Sequence, residues 1–308
     1  MTQSLLAICQ QASREMGKTA PATIISNTDL YAVQLLNLVN SVGQQLVTEH
    51  QWQGITKEYR FTTVFYTYTA DTTLDSTTIS SMSSTTGLTS TPTYFMVTGA
   101  GIPTDTYLVS VNGGAGSAVM SRAATATATA ASLTFSQVMY ALPSDYDRLI
   151  DRTEWDKSQF WELLGPGSAQ QWQWLKSGYI AVGPRASFRV LASLFQVYPP
   201  LAATDYLGFE YVSNQWVAAT GAALSKTAYA VDTDTSIFPD RLMIAGLKMR
   251  FTESLGIAPM LQLYEKDWNR QLSIAKAADA GSATLSMSPR PSSNLINWNN
   301  IPDNGYGL

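Results

Sequence analysis

The chain holds a single cysteine, Cys9, and a single histidine, His50, among its 308 residues. One cysteine excludes an intramolecular disulfide. Cys9 sits inside an apolar helical pattern, so a core position is expected for it. One histidine and no paired cysteines exclude the usual zinc-ligand spacings. A Ser-His-Asp triad would have to use His50, which falls at the end of a helical pattern where the dipole favours it as a terminal residue. Charge is scarce as well: 14% of residues are charged, against roughly 25% in an average soluble domain. The surface must therefore be rich in Ser, Thr, Gln, Asn and Gly. Such a surface suits packing against neighbours, because little charge has to be desolvated. Lys and Arg number 19 against 23 Asp and Glu, for a net charge of −4. With no basic stripe, groove-reading or phosphate-tracking DNA binding is not expected. A weakly acidic wall past which DNA slides remains compatible. No apolar run approaches the ~18 residues of a membrane span. The start, MTQSLLAICQQASREMG, lacks a basic n-region and turns amphipathic at once, so a signal peptide is not expected.

What is present is helical at both ends and β-rich between them. Residues 3–16 place Leu5, Leu6, Ile8, Cys9 and Ala12 near one side of a helix that stops at Gly17. Asn27 or Thr28 is positioned to cap a second helix running to about His50. Its stripe is Tyr31, Leu35, Leu38, Val42 and Leu46. These two helices read as an αα-hairpin, with Trp52 as an anchor. Near the other end Pro239 takes an N1-like position and Gly256 a stop, with Leu242, Leu247, Phe251 and Leu255 as the stripe. A helix over 259–279 follows, carrying Leu261, Tyr264, Trp268, Leu272 and Ala275. Between the helical ends, residues 55–66 alternate like one strand, a short helix is expected at 168–177, and strands at 179–182, 187–197 and 207–218.

Residues 67–137 differ from both flanks. Ser, Thr, Ala and Gly dominate, and Arg122 is the only basic residue. A disordered low-complexity stretch is one reading. The preferred one is a β-module with short strands in TPTYFMVTGAGIP, TYLVSVNGG, SAVMSRAA and ASLTF, on a stem made by Phe61–Tyr66 and Val138–Leu142. Residues 282–308 are rich in Ser, Asn, Pro and Gly. They carry scattered Leu295, Ile296, Trp298, Ile301 and Tyr306, and are expected to order on a partner.

Chemistry is hard to find. Asn112-Gly113-Gly114-Ala115-Gly116 lacks the Lys-Ser/Thr of a phosphate loop and reads as a hairpin turn. Asp232, Asp234 and Asp240 lack the Gly and closing Glu of a calcium loop, so a turn and helix start is preferred. Glu154, Asp156 and Glu162 lie among Trp155, Phe160, Trp161, Trp172 and Trp174. Packing is the default reading there. A sugar platform with a glycosidase-like carboxylate pair is the functional alternative.

The helical ends, the Leu142-Pro143-Ser144-Asp145 return to the main domain after the module, the Asp232-Thr233-Asp234 turn and the paired C-terminal helices together resemble the head-to-tail adaptors of short-tailed bacteriophages, the tail-tubular-A-like connectors. The resemblance covers residues 1–66 and 138–280. The fold it implies is α+β: a bundle of N- and C-terminal helices (1–52 and 239–280), a β-region (55–66 and 138–238), an inserted immunoglobulin-like or β-tip module (67–137), and an extended arm (281–308). The function it implies is a structural virion protein, a ring of usually twelve copies that joins the portal to the tail and extends the DNA channel. The expected partners are the portal ring, a tail tube or nozzle protein, further copies of the chain, and genomic DNA passing without sequence-specific contact. No membrane, enzyme activity, cofactor or metal is expected. The location is the virion neck, after assembly in the host cytoplasm. The arm residues Leu295, Ile296, Trp298, Ile301 and Tyr306 are the candidate portal or subunit contacts. The alternative is a tail or baseplate protein whose β-module binds a receptor or glycan.

Overall fold

Helix formation begins at Ser4, whose hydroxyl accepts the Ala7 amide at 3.4 Å and caps α1 (Leu5–Glu15). Leu5, Ile8, Cys9 and Ala12 are fully buried, while Leu6 is half-buried. The computed structural model describes residues 3–165, 167–177 and 185–279. Over these the chain is mixed α+β, with five helices and several small antiparallel sheets. It divides into two units. One takes the chain up to Gly43 and resumes at Phe238; the other is Gln44–Ile237.

α2 (Leu30–Glu49) runs across the boundary: its part up to Gly43 belongs to the first unit and buries Ala32, Leu35, Val39 and Val42, and its last residues, from Gln44, belong to the second. Of the stripe expected from spacing, Leu35, Val42 and Leu46 are fully buried, while Tyr31 and Leu38 are only half-buried. Leu35, Leu36, Leu38 and Val39 make this helix apolar over more than one face, so the spacing alone admitted either phase. α4 (Asp240–Leu255) starts one residue later than expected, with Pro239 in the cap position. The Asp240 carboxylate accepts the Gln3 amide at 2.9 Å. Leu242, Met243, Ile244, Ala245, Leu247 and Phe251 are all buried, which is wider than one stripe. α4 is therefore the central helix of its unit, met by α1 and by α5 (Ala258–Asp279). The Tyr31 and Phe251 rings meet edge-on at 5.5 Å, and Gln34 donates to Ser254 at 2.9 Å. Leu255, placed in the stripe by its spacing, is half exposed. It lies at the last turn before Gly256, whose φ of +69° ends the helix. In α5 only Trp268 and Ala275 are buried; Leu261, Tyr264 and Leu272 are half-buried.

Gly246 marks the tightest contact of this unit. A β-carbon there would lie 2.5 Å from the Trp268 ring and 2.7 Å from Val42. A glycine inside a helix costs about 1 kcal/mol relative to alanine. Overpacking a closed site costs about 1–3 kcal/mol. The clash is with a ring and a branched side chain, so packing wins. Gly246→Val is expected to lower stability by about 2 kcal/mol or more. Thermal unfolding checks this, and a raised melting temperature would mean that α2, α4 and α5 do not meet there.

The second unit is built of short strands. Residues 55–66 are two strands, not one. Thr56–Thr62 pairs with Tyr206–Ser213, while Phe65–Thr72 pairs with Ala128–Gln137. The break falls at Thr63, whose hydroxyl donates to Ala203 O at 2.7 Å and accepts the Asp205 amide at 2.7 Å. The expected stem is also corrected. Met139–Ala141 pairs with Leu194–Tyr198, and the pairing that leads into the module is Phe65–Thr72 with Ala128–Gln137.

Beyond that pairing, Phe65–Thr72, Ala128–Gln137 and Phe95–Gly99 form one three-stranded sheet. Thr78–Ile79, Ser117–Met120 and Leu108–Asn112 form another. Both sheets contribute to one core that includes Ile79, Phe95, Val97, Leu108, Met120, Leu133 and Phe135. Strands Thr56–Thr62, Met139–Ala141, Tyr146–Leu149, Ser187–Leu191, Leu194–Tyr198 and Tyr206–Ser213 share a second core around Tyr140, Phe188, Phe195, Leu207, Phe209 and Tyr211. Residues 187–197, expected as one strand, are the hairpin Ser187–Leu191/Leu194–Tyr198, turning at Ala192 and Ser193 with φ of +50° and +60°. The run expected at 207–218 is Tyr206–Ser213 and then Val217–Ala218, which joins a different small sheet. The strand expected at 179–182 lies outside the described residues.

Candidate functional site

The Leu142–Asp145 return is a staple. Tyr146 N donates to Pro143 O at 3.0 Å, which turns the chain and delivers Asp145 inward. Its carboxylate accepts Lys57 Nζ at 2.6 Å, Ser213 Oγ at 2.7 Å and Tyr211 OH at 2.9 Å. Asp145 O also accepts the Asn214 amide. One buried carboxylate thus ties together strands Thr56–Thr62, Tyr146–Leu149 and Tyr206–Ser213. Burial alone would raise the Asp145 pKa, but the hydrogen bonds from Lys57, Ser213 and Tyr211 outweigh it and hold the group below its ordinary 3.8. Asp234 plays a similar local part. It accepts Lys226 Nζ at 2.7 Å and the amides of Ala230 and Val231, both at 2.9 Å. Its carboxyl is also held low, against burial, by those bonds. Asp240 lies at the start of α4, where its carboxylate accepts the Gln3 amide. Among the described residues no group of three or more His, Cys, Asp or Glu side chains could hold a metal.

The carboxylates among the tryptophans separate. Trp155 is the register partner of Glu162, and Asp156 that of Trp161. Side chains alternate along a strand, so Glu154 and Asp156 share one face and Glu162 takes the other. Glu162 is exposed beside Arg185 at 3.5 Å. Asp156 is buried and caps a turn, accepting the amides of Ser158 at 2.9 Å and Gln159 at 3.0 Å. Its charge helps to raise the pKa of Asp205, after the larger effect of burial. Asp205 was not singled out in the sequence, because a lone acid before a strand carries no spacing signal. Glu154 is buried, and its Oε1 has no hydrogen-bond partner. Burial, then the charge of Asp151, raises its pKa above the ordinary 4.5. A carboxyl raised in the folded state loses stability as pH climbs from its unfolded value to its folded one. Relative to wild type, Glu154→Gln is therefore expected to gain stability as pH rises from the ordinary carboxyl range toward neutrality. Melting temperatures of both proteins across that range test the sign; a constant gap would contradict it.

The aromatic residues do not form one platform. Trp172 is buried against Tyr198 on α3 (Ala169–Lys176), while Trp174, two residues on, is 57% exposed. Lys176 Nζ lies 4.9 Å from the Tyr107 ring centroid, 5.9 Å from that of Trp172 and 3.5 Å from Asp105. Met96, Val138, Trp172 and Tyr198 form a small core with Tyr107 beside it, which connects the 67–137 segment to α3 and the hairpin. Phe160 is 84% exposed, at the tip of the tight turn between Trp155–Asp156 and Trp161–Glu162.

His50 lies one residue past α2, its ring edge-on to Trp52 at 5.0 Å and its carbonyl accepting Arg148 Nη2 at 3.1 Å. Asn112–Gly116 turns a hairpin, with Asn112 Oδ1 accepting the Ala115 amide. Leu30, Leu255, Ile257 and Leu263 of the helical unit are at least half exposed or nearly so. Leu295, Ile296, Trp298, Ile301 and Tyr306 lie outside the described residues. No helix among the described residues is long and apolar enough to cross a membrane. Comparison with protein-family models returns no match, and comparison with curated proteins returns none.

Proposed function

We propose that the chain is a structural virion protein, a head-to-tail adaptor whose copies form a ring between the portal and the tail. The observation that carries the reading is the joint packing of the two chain ends. α1 and α2 meet α4, and α4 meets α5, although more than two hundred residues separate Tyr31 from Phe251 along the chain. The order of helices, β-region and returning helices is the order on which the resemblance rests. The Asp145 staple supports it further, since the return element is held in place by chain-distant partners rather than serving as a simple loop. In this reading residues 1–66 and 138–280 are the adaptor core, 67–137 the inserted module, and 281–308 the arm that grips the portal through Leu295, Ile296, Trp298, Ile301 and Tyr306. The protein acts without catalysis, cofactor or metal, in the neck of the particle, and DNA passes through the ring.

The test is capture on isolated portal rings followed by electron microscopy. Rings capped on one face by this protein are expected, and truncation after Gly281 should abolish capture. Absence of capture by the full chain contradicts the reading. The separate core of the 67–137 segment favours one second reading, a tail or baseplate protein with a receptor- or glycan-binding module. Labelling at the distal tail, rather than at the neck, would select it.

A further inference from the structure

A projecting ring and a hole of mixed polar and apolar lining stand at opposite ends of one strand. The ring is Phe160. It is 84% exposed and has a left-handed φ of +60°. For an aromatic residue that backbone costs about 1–3 kcal/mol and persists only where the surroundings impose it. Here they do. Asp156 Oδ1 holds the Ser158 and Gln159 amides, Ser158 Oγ accepts Tyr206 N at 2.8 Å, and Lys157 N donates to Tyr206 O at 2.8 Å. The turn is therefore a rigid mount on the Tyr206 end of strand Tyr206–Ser213. Folding of a single copy gains little from a phenyl ring left in water, so the strain and the exposure call for a contact outside that copy.

The hole lies past the Ser213 end. It is a cavity of ≈ 210 Å³ whose walls include Val47, Thr48, Asp147, Asn214, Trp216 and Thr227. Val47 and Trp216 are buried, 4% and 1% exposed, while Thr48 and Thr227 sit exposed at the edge. Asn214 Oδ1 is buried in the wall and has no hydrogen-bond partner among the described residues. An apolar cavity of about 150 Å³ accepts a benzene ring, so this one has room for a phenyl side chain. Eight strand residues separate ring from hole, roughly 25 Å at about 3.3 Å per residue. A copy cannot fill its own cavity across that distance. A second copy can.

We propose that Phe160 of one copy enters the Trp216 cavity of a second copy, so that copies associate head to tail. Two different patches meet, and each copy keeps one of each free for the next. Such heterologous contacts generate closed rings or open filaments. The contact stands on the geometry of this unit; that the series closes into a ring rests on the adaptor reading above.

Complementation of two full-length variants tests it. Phe160→Asn removes the ring with a residue that tolerates the left-handed backbone. Thr48→Trp covers the mouth of the cavity from the exposed side of α2. Mass photometry and sedimentation should show wild type as multimers. Each variant alone should associate at least about thirtyfold more weakly, the loss expected of an aromatic anchor, with a wild-type melting temperature. Mixed together, the two should form one-to-one dimers and stop there, because only one ring and one hole remain compatible. Wild type that stays monomeric, a variant that assembles like wild type, or a mixture that gains no dimer would each overturn the proposal. If Phe160→Asn still caps portal rings, the contact is refuted and the adaptor reading stands. If wild-type multimers form through Phe160 but never bind portals, the reverse holds.

Discussion

Leu247→Asp should leave the helical unit unable to fold. Leu247 is fully buried near the middle of α4, one position from the Gly246 contact with Trp268 and Val42. Burying a carboxylate there unpaired costs several kcal/mol, and protonating it instead still leaves a buried polar group in a cavity shaped for leucine. Whole domains are stable by only about 5–15 kcal/mol, so the loss is comparable to the unit's stability. Circular dichroism should show less helix at 25 °C and no cooperative helical transition. Leu38→Asp is the control. Leu38 is half-buried on the flank of α2, so its carboxylate reaches water, and a cost of about 1 kcal/mol is expected. Equal effects from the two substitutions would mean that the buried faces of α2 and α4 are assigned wrongly.

Asp145→Ala should be the most damaging single change in the β-rich unit. It strips the acceptor from Tyr211 and Ser213, both buried, and from Lys57, which can turn to solvent. The two buried hydroxyls each lose about 1–3 kcal/mol, while the half-exposed lysine contributes little. A total of about 3 kcal/mol follows, or roughly 6–12 °C in melting temperature for a unit of this size. The pH dependence is specific. The folded pKa of Asp145 lies below the ordinary 3.8. Its stabilisation is therefore complete above the unfolded value and disappears as pH falls through the folded one. The gap between wild type and Asp145→Ala should be full at neutral pH and should narrow as pH falls below the ordinary carboxyl value and through the lower folded one. Asp234 titrates in the same direction, so wild type itself should lose stability over that acid range. A gap that persists unchanged into acid would show that the carboxylate's charge is not what holds the three strands.

The helices were legible because each carries a local signal. Gly17 and Gly256 end helices at φ of +69°, and Ser168 builds a capping box with Gln171, all within a turn of the chain. The buried face of α2 was legible at Leu35, Val42 and Leu46 but not at its edge, where Ala32 and Val39 are buried and Tyr31 and Leu38 only half so, since apolar residues at 35, 36, 38 and 39 satisfy more than one face. The strand breaks were hidden for a different reason. Thr63 interrupts a continuous alternating run only because Ala203 and Asp205 claim its hydroxyl from 140 and 142 positions away. Ala192 and Ser193 form a hairpin tip without the glycine or asparagine that usually marks one.

The same division holds for the site. Leu142–Asp145 could be read as a turn, but its role as a staple depends on partners 88, 68 and 66 residues distant. Phe160 was read as one more packing residue because it stands among tryptophans. Its exposure follows from the turn that Asp156 caps, which no periodicity reveals.

Electron cryomicroscopy of the assembled full-length protein tests the account most directly. The adaptor reading predicts closed rings, with an axial channel wide enough for duplex DNA, the α2–α4–α5 helices repeated around the axis, and one face that seats on portal rings. Compact oligomers without an open channel, or particles that label only at the distal tail, would contradict it.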